Sequence, residues 1–165
     1  PVITYLENEF SEPRDADAGA SVVPVHDDNL ENARPIPFDS LSWKSPWSLR
    51  TNRSNTGGVN PGTYLYTSAI NATLDIPFEG TGVLIVMMTG KHTGEFDYCI
   101  DKGEWKSVKP LNVRDQWMGK DDWYRCVTLA DKLPLKKHII RIRTKHSECA
   151  EISGTRIEIK LIATW

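Results

Sequence analysis

The sequence lacks the patterns that usually mark a reaction centre or a membrane segment. It contains no Gly-x-Ser-x-Gly, the context that presents a nucleophilic serine on a tight turn. Its three cysteines, Cys99, Cys126 and Cys149, form no Cys-x-x-Cys motif, so we expect no zinc site. No apolar stretch approaches the roughly 20 residues of a membrane span, and none resembles a signal peptide. We therefore expect neither catalysis by this chain alone nor a membrane partner.

The sequence also lacks a strong net charge. Its 20 basic and 22 acidic residues give a formal net charge of −2, so we expect no nucleic-acid partner. The charges are unevenly spread, because residues 1–35 hold eight acids and two bases, while the remainder holds 14 acids and 18 bases. We interpret this as an acidic N-terminal part, at −6, along a mildly basic body, at +4.

Two further features bear on the cellular context. An odd number of cysteines prevents complete pairing within the chain, which leaves one disulfide or none as open alternatives. The chain begins with Pro1 rather than Met, so we expect it to be processed or excised from a larger protein. We expect that parent protein to be secreted or periplasmic.

The longest apolar run and a clearly alternating segment lie together in residues 78–101. Residues 83–88, VLIVMM, are continuously apolar and rich in branched side chains, which favours a fully buried strand. After a polar loop, Phe96, Tyr98 and Ile100 alternate with Glu95, Asp97 and Asp101, with Cys99 as the exception, which is typical of a strand with one face in water. Residues 104–108 follow a short turn and are predicted to pair with that strand as a hairpin.

The rest of the chain adds more short strands and no amphipathic helix of useful length. Alternating segments are predicted at 64–67, 70–76, 123–129, 138–144 and 156–164. In the last of these, Ile157, Ile159, Leu161 and Ala163 are predicted to share one face. We therefore predict an all-β fold, an antiparallel β-sandwich or jelly roll, as one domain over residues 1–165. Its regular strands would occupy 64–164, after an irregular acidic part at 1–60.

Aromatic residues outside the predicted core suggest a binding function. Flat apolar rings can stack on a sugar, while nearby charged groups bind its hydroxyls. Trp117 is the strongest candidate because it lies in a polar loop, although it could instead anchor that loop on the sandwich. The predicted carbohydrate-binding set comprises Trp117, Trp43, Trp47, Asp122, Arg125, Lys91, His92 and Tyr124.

Two other groups allow alternative interpretations. His26, Asp27, Asp28 and Glu31 could hold a structural calcium ion, but they lack the order of a known calcium loop, so we expect no cofactor. Arg141, Arg143, Arg156 and Lys160 form either a basic strip for an anionic polysaccharide or an ordinary solvent-facing row.

Residues 64–164 resemble the jelly-roll domain that accompanies SGNH/GDSL-type esterases and, more broadly, galactose-binding-like carbohydrate-binding modules. The matching pieces are the FEGTGV before the buried strand, the loop at 90–94, FDYCIDKG at 96–103 and WYRCVTLADKLPLKKHIIRIR at 123–143. In such esterases the catalytic Ser lies in a separate α/β domain within a Gly-Asp-Ser motif, which this chain lacks. The resemblance implies an accessory domain, with a polysaccharide or oligosaccharide and the catalytic domain of the same parent chain as partners.

Three functions follow from these observations. The first is a non-catalytic carbohydrate-binding module attached to a polysaccharide-active enzyme. The second is an accessory domain of an SGNH/GDSL-type carbohydrate esterase that does not bind sugar by itself. The third is a purely structural domain that docks onto a partner.

Overall fold

The computed structural model describes residues 31–52, 62–89, 93–108, 123–146 and 154–165. These ranges contain ten β-strands and one short 3-10 turn, Phe38–Ser40. The strands are β1 (Arg34–Pro35), β2 (Ser48–Asn52), β3 (Gly62–Thr67), β4 (Thr73–Gly80), β5 (Val83–Thr89), β6 (Glu95–Ile100), β7 (Lys106–Val108), β8 (Trp123–Ala130), β9 (Lys136–Lys145) and β10 (Ile157–Thr164).

The strands form two sheets, which we call sheet A and sheet B. Sheet A has six strands in the order β2-β3-β10-β5-β8, with β1 also paired to β10. Sheet B has four strands in the order β4-β9-β6-β7. All strand pairs are antiparallel, which confirms the predicted all-β sandwich.

The main core lies between the two sheets and consists of alternate residues from their facing sides. Sheet A contributes side chains such as Leu65, Ile85 and Ile159, and sheet B contributes others such as Phe96 and Ile142, all fully buried. Each such side chain stabilises the fold by about 1.5–3 kcal/mol relative to full exposure. The period-two alternation of the predicted strands therefore does place one face of each sheet in the core.

Strand β5 is buried on both of its faces, as its continuous apolar sequence predicts. Ile85 and Met87 point into the main core, whereas Leu84, Val86 and Met88 lie on the outer face of sheet A. There they belong to a second apolar cluster with Tyr124, Ala163 and the partly buried Ala33, Cys126, Leu161 and Trp165. The main core therefore covers one face of β5, and this second cluster covers the other.

Strands β5 and β6 lie in different sheets, although only a short loop separates them. Strand β5 pairs with β10 and β8, whereas β6 pairs with β7 and β9. The predicted hairpin of β6 with the segment at 104–108 is confirmed. The predicted wet face of β6 is wrong at Glu95, which is fully buried, with its carboxylate 3.8 Å from Lys145 Nζ.

Strand β10 contains a bulge that the sequence analysis did not predict. Its pairing with β5 shifts between Ile159 and Leu161, so Lys160 and Leu161 do not continue the alternation. Ile157, Ile159 and Ile162 therefore face the main core, while Leu161 and Ala163 join the outer cluster. The prediction that Ile157, Ile159, Leu161 and Ala163 share one face is wrong for this reason.

Strand β2 lies within the part of the chain that was predicted to be irregular. Residues Ser48–Asn52 pair along their full length with β3 and form one edge of sheet A. The sequence signal is weak because Leu49 is the one apolar residue in the strand, and it is 46% exposed. Pairing with β3, rather than burial of its own side chains, holds this strand in place.

The outer face of sheet B is a network of paired charges. Arg141 donates two hydrogen bonds of 2.7 Å to Asp75, and Asp97 contacts both Arg143 at 3.3 Å and Lys145 at 3.0 Å. Arg156 and Lys160 belong instead to sheet A or its border. The four cations therefore do not form one basic strip, because β9 and β10 lie in different sheets.

His138 links the start of β9 to the turn after β6. Its Nε2 lies 2.8 Å from the carbonyl oxygen of Pro134, which can only accept, and its Nδ1 lies 2.7 Å from Asp101 Oδ2. Asp101 also accepts a 3.0 Å hydrogen bond from the backbone N–H of Ile139. This N–H and the His138 ring hold the pKa of the Asp101 carboxyl below its ordinary value.

Substitution of Asp101 by Asn tests how much this turn stabilises sheet B. A carboxyl whose pKa is lowered on folding stabilises the protein above its unfolded-state pKa, and that contribution is lost as the pH falls through the lower folded-state pKa. We expect Asp101→Asn to lower the urea midpoint at neutral pH, and the difference from the wild type to shrink below about pH 4. Asp39→Asn, in the exposed 3-10 turn, is the control and should change little at either pH. A difference that is the same at both pH values would contradict this role.

The turn between β4 and β5 contacts Trp165 through both the backbone and the aromatic ring of that residue. The carbonyl oxygen of Trp165 accepts hydrogen bonds from the N–H groups of Thr81 and Gly82, at 2.6 and 3.2 Å. Its indole lies so close to Gly82 that a Cβ at that position would overlap the ring. A glycine is needed at position 82 for the ring to pack there.

We expect Gly82→Ala to destabilise the fold by about 1–3 kcal/mol, because the added methyl group displaces the Trp165 ring. The same substitution in a Trp165→Ala background should cost clearly less, since the overlap is then gone. Urea denaturation of the four proteins in this cycle measures the coupling. Equal costs in both backgrounds would show that Trp165 is not the reason for the glycine.

Candidate functional site

The outer face of sheet A carries aromatic rings on β3. Leu65 points into the main core, so its neighbours Tyr64 and Tyr66 project from the opposite face of the same strand. Both tyrosines are half-buried and therefore keep part of their surface in solvent. Two adjacent phenol rings on one strand face provide apolar surface together with hydroxyl groups.

Arg50 on the edge strand β2 extends over this aromatic pair. It is the cross-strand partner of Tyr64, and its Cζ lies 3.4 Å from the centroid of the Tyr66 ring. A guanidinium in this position is attracted by the ring quadrupole while its N–H groups stay in its own plane. Arg50 is exposed and makes no side-chain hydrogen bond or ion pair with the residues that the structure describes.

A buried carboxylate lies beside these rings on β10. Glu158, the cross-strand partner of Tyr66, is 7% exposed. Its Oε1 lies 3.4 Å from Arg156 Nε, and its Oε2 accepts a 3.3 Å hydrogen bond from the Tyr124 hydroxyl. Arg156 also contacts the sulfur of Met88, at 2.9 Å. The carboxylate is therefore held in position by a guanidinium and a phenol.

Lys160 completes the group. Its Nζ lies 5.6 Å from the centroid of the Tyr124 ring. The same atom is 3.0 Å from the position that a Cβ atom on Gly62 would occupy. The Lys160 side chain therefore passes over β3 at a residue that has no side chain of its own. We call the whole group the aromatic-cationic face, and it consists of Arg50, Tyr64, Tyr66, Tyr124, Arg156, Glu158 and Lys160.

Three of the residues predicted to bind sugar have described side chains. Tyr124 belongs to the aromatic-cationic face, but it is 6% exposed, so it positions Glu158 and does not offer its ring. Trp43 is half-buried, and its Nε1 donates a 3.2 Å hydrogen bond to the Phe38 carbonyl. Trp47 is 3% exposed and packs in the main core. We correct the prediction for Trp47, because a ring enclosed by the core has no face for a ligand.

The other predicted residues lie outside the described side chains. Lys91, His92, Trp117 and Asp122 fall outside the described ranges, and only the backbone of Arg125 is described, within β8. The strand ends that lead toward these residues are adjacent, because Thr89 and Trp123 are cross-strand partners. The next pair in this ladder is Met88 and Tyr124, which borders Glu158.

Sequence reasoning missed Arg50, Tyr64, Tyr66 and Glu158. The alternation of residues 64–67 does contain the signal for the two tyrosines, because it places both opposite Leu65. The alternation at the start of the last strand likewise places Arg156, Glu158 and Lys160 opposite Ile157 and Ile159. The stacking of Arg50 could not be found, because β2 has too few apolar residues to be recognised as a strand.

A second surface feature is a cleft of about 320 Å³ at one end of sheet B. It is lined by Tyr98, Ile100, Asp101, Glu104, Lys106, Leu133, Pro134, Lys136 and His138. Both ring nitrogens of His138 are already engaged by Asp101 and Pro134. The imidazole therefore has no nitrogen left to contact a ligand in this conformation.

Other reactive groups in the described part of the chain do not form a centre of their own. Cys99 and Cys126 are free thiols, and burial raises the pKa of Cys126 to about 12, so this thiol stays protonated at neutral pH. No group of three or more His, Cys, Asp or Glu in the described ranges could hold a metal ion. None of the helices in those ranges is long and apolar enough to cross a membrane.

Comparison with known proteins shows the fold. No family model matches the chain, and no curated protein matches it. A two-domain esterase (CEX) active on acetylated mannans is similar in structure, with 13% identity, a TM-score of 0.57, and coverage of 98% of this chain and 44% of that chain. The same esterase co-crystallised with mannopentaose gives 14% identity, a TM-score of 0.55, and coverage of 98% and 43%.

A xanthan lyase from Paenibacillus is also similar, with 13% identity, a TM-score of 0.50, and coverage of 90% of this chain and 14% of that chain. The chain thus spans less than half of each of these proteins. At this level of identity the likeness shows a shared sandwich fold. It confirms, for the fold, the resemblance to the jelly-roll domains of carbohydrate esterases.

Two substitutions test how the aromatic-cationic face is held together. Glu158→Ala leaves Arg156 and the Tyr124 hydroxyl without this carboxylate and should destabilise the fold by about 1–3 kcal/mol. Tyr124→Phe removes the hydrogen bond to Glu158 and should destabilise the fold by about 0.5–1.5 kcal/mol. Glu104→Ala, at an exposed acid in the connection between β6 and β7, is the control and should stay within about 0.5 kcal/mol of the wild type. Urea denaturation measures all three, and a Glu158→Ala effect no larger than the control would show that the buried carboxylate has no structural role.

Proposed function

We propose that this chain is a non-catalytic carbohydrate-binding module attached to a polysaccharide-active enzyme. The observation that supports this function is the aromatic-cationic face, which combines half-buried rings with fixed hydrogen-bonding groups on one side of a rigid sheet. Sugar binding needs both elements, because the C–H side of a pyranose is apolar while its hydroxyls need donors and acceptors. We propose a secreted or periplasmic parent protein and no cofactor for binding.

In this proposal each described residue has a specific role. Tyr64 offers its ring to the sugar, while Tyr66 is already covered by Arg50. Arg50 and Lys160 donate hydrogen bonds to the ligand. Glu158 is buried, so it contacts Tyr124 and Arg156 rather than the sugar. A site on sheet strands is already ordered, so binding loses little conformational entropy.

The site is proposed to extend beyond the described side chains. Trp117 would add a stacking ring, and Asp122, Arg125, Lys91 and His92 would bind hydroxyls, because these residues are close in sequence to the paired strand ends at Thr89 and Trp123. Trp43 remains a candidate for ligand stacking, since its ring is only half-buried. Trp47 is left out because it packs in the core.

Affinity electrophoresis of the isolated chain tests the proposal. The panel should include acetylated mannan and its oligosaccharides, because a structurally similar esterase is active on acetylated mannans and was co-crystallised with mannopentaose. We expect retardation by at least one polysaccharide. Tyr64→Ala and Trp117→Ala should each weaken binding about three- to tenfold, the loss expected for one aromatic contact.

Trp105→Ala is the matched control for these substitutions. Trp105 is 44% exposed and lies under Arg143 of sheet B, 4.5 Å from its Cζ, on the opposite side of the sandwich. This substitution also removes an exposed indole, but it should leave retardation unchanged. If Trp105→Ala weakens binding as much as Tyr64→Ala does, the site is not on sheet A. Absence of retardation by every glycan would contradict the proposed function.

A second function is favoured by the share of a structural neighbour that the chain spans. The similarity covers 98% of this chain and 44% of a two-domain esterase. The alternative is therefore an accessory domain of an SGNH/GDSL-type carbohydrate esterase that packs beside the catalytic domain without binding sugar itself. This alternative predicts no retardation by any glycan in the panel.

A further inference from the structure

His138 joins two separate connections of the sandwich at the cleft of sheet B. Its Nδ1 lies 2.7 Å from Oδ2 of Asp101, in the turn after β6, and its Nε2 lies 2.8 Å from the carbonyl oxygen of Pro134, in the connection between β8 and β9. The imidazole side chain is 2% exposed, so water cannot replace either contact unless the chain moves. We call His138, Asp101 and Pro134 together the His138 bridge.

Both partners of the imidazole ring accept hydrogen bonds and cannot donate them. A carbonyl oxygen has no proton, and an ionised carboxylate has none either. Asp101 is held in its ionised form, because the backbone N–H of Ile139 donates to its Oδ1 at 3.0 Å and the Lys136 ammonium group lies 3.9 Å from its Oδ2. The pKa of this carboxyl is lowered by that N–H and by the ring. Each ring nitrogen therefore has to be a donor.

The doubly protonated imidazolium is the form of the ring that can donate to both partners. A neutral imidazole has one N–H, so its other nitrogen would direct a lone pair at an acceptor oxygen 2.7 or 2.8 Å away. Phe78, the cross-strand partner of His138, stacks on the ring with a centroid distance of 5.3 Å, and an aromatic face attracts a cation. Burial opposes the positive charge, and these three partners compensate for it.

The other titratable groups near the ring line the same cleft. The charged residues of its described lining are Asp101, Glu104, Lys106 and Lys136. Tyr98 also lines the cleft, but its hydroxyl donates to the Leu129 carbonyl at 2.8 Å and burial raises its pKa, so it stays neutral while a histidine titrates. Lys137 and Glu79 pair across β9 and β4 one residue away from His138 and Phe78, so they belong to the opposite face of sheet B. Asp101 is thus the titratable partner of the imidazole within the described lining.

We propose that the His138 bridge is a pH-dependent contact that holds the β8–β9 connection, residues 131–135, against the turn after β6. While the ring is an imidazolium, both hydrogen bonds form and the two walls of the cleft are joined. When the pH rises and the ring loses one proton, the remaining proton stays on Nδ1, because the bond to the Asp101 carboxylate is charge-assisted and stronger. The Nε2 lone pair then repels the Pro134 carbonyl, and the connection is released. The bridge does not involve the aromatic-cationic face.

Nuclear magnetic resonance of the ¹⁵N-labelled chain tests the protonation states. The ¹⁵N shifts of the ring distinguish an imidazolium from the two neutral tautomers, and comparison with His138→Gln assigns the signals among the four histidines. We expect the imidazolium at about pH 5.5 and the Nδ1–H tautomer at about pH 8.5. In Asp101→Asn the neutral ring should carry its proton on Nε2 instead. The new amide can donate to Nδ1 while its oxygen still accepts from Ile139.

Hydrogen exchange measures the release of the connection. The N–H of Leu133, within residues 131–135, donates to the Thr81 carbonyl at 2.8 Å. Its protection factor, which already corrects for the intrinsic effect of pH on exchange, should fall about five- to a hundredfold between these two pH values. The control is the N–H of Asn71, which donates to the Thr144 carbonyl near the end of β9, at 2.9 Å, and should keep its protection. In Asp101→Asn the protection of Leu133 should change by less than twofold, because the Pro134 contact is kept.

Several results would overturn this proposal. One is a folded wild type whose His138 ring is neutral at about pH 5.5, since a neutral ring cannot donate to both partners. Unchanged protection of Leu133, or an equal loss at Leu133 and Asn71, would show that the connection is not released on its own. A loss in Asp101→Asn as large as in the wild type would show that the release does not depend on the carboxylate. Circular dichroism checks that each variant is folded at both pH values.

Discussion

The removal of strand β5 from water on both of its faces is the constraint on which this structure depends. Its inner residues need a second sheet opposite them, and sheet B provides that surface. Its outer residues need further apolar neighbours, which β8 and β10 provide through Tyr124 and Ala163. The polar and aromatic groups that contact solvent on the outer face of sheet A therefore lie on β2, β3 and the start of β10. The position of the aromatic-cationic face follows from the burial of β5.

The two outer faces of the sandwich have different physical characters. Sheet B carries cross-strand ion pairs such as Asp75 with Arg141. These pairs are exposed, so each contributes little stability, but together they balance the charges of that surface. On sheet A the corresponding positions hold tyrosines and a buried carboxylate, whose desolvation is compensated by specific partners. Burying a charged group in this way lowers the stability of the fold unless its partners compensate. This difference between the two outer faces is the physical reason to look for a ligand on sheet A.

The fold could be predicted from the sequence because strand periodicity is local, whereas the assignment of strands to sheets is not. The loop between β5 and β6 is compatible either with a hairpin or with a crossing between sheets, and only tertiary packing decides between them. For the same reason Trp47 could not be recognised as a core residue from its polar neighbours. In the site, the shared face of Tyr64 and Tyr66 is visible in the sequence, but the contact of Arg50 with Tyr66 depends on a strand with almost no apolar signal.

The bulge in β10 has a consequence for comparing this chain with other sandwiches of the same fold. On one side, the first half of the strand pairs with β3 and its end pairs with β1; on the other side β5 pairs with both halves, which are separated by one extra residue at Lys160. When a sandwich without this extra residue is aligned with this chain, its inward positions match the inward positions here only if the alignment contains a single-residue gap at Lys160. An ungapped alignment would equate inward isoleucines with outward residues over half of the strand, which lowers the apparent identity between sandwiches that share this architecture.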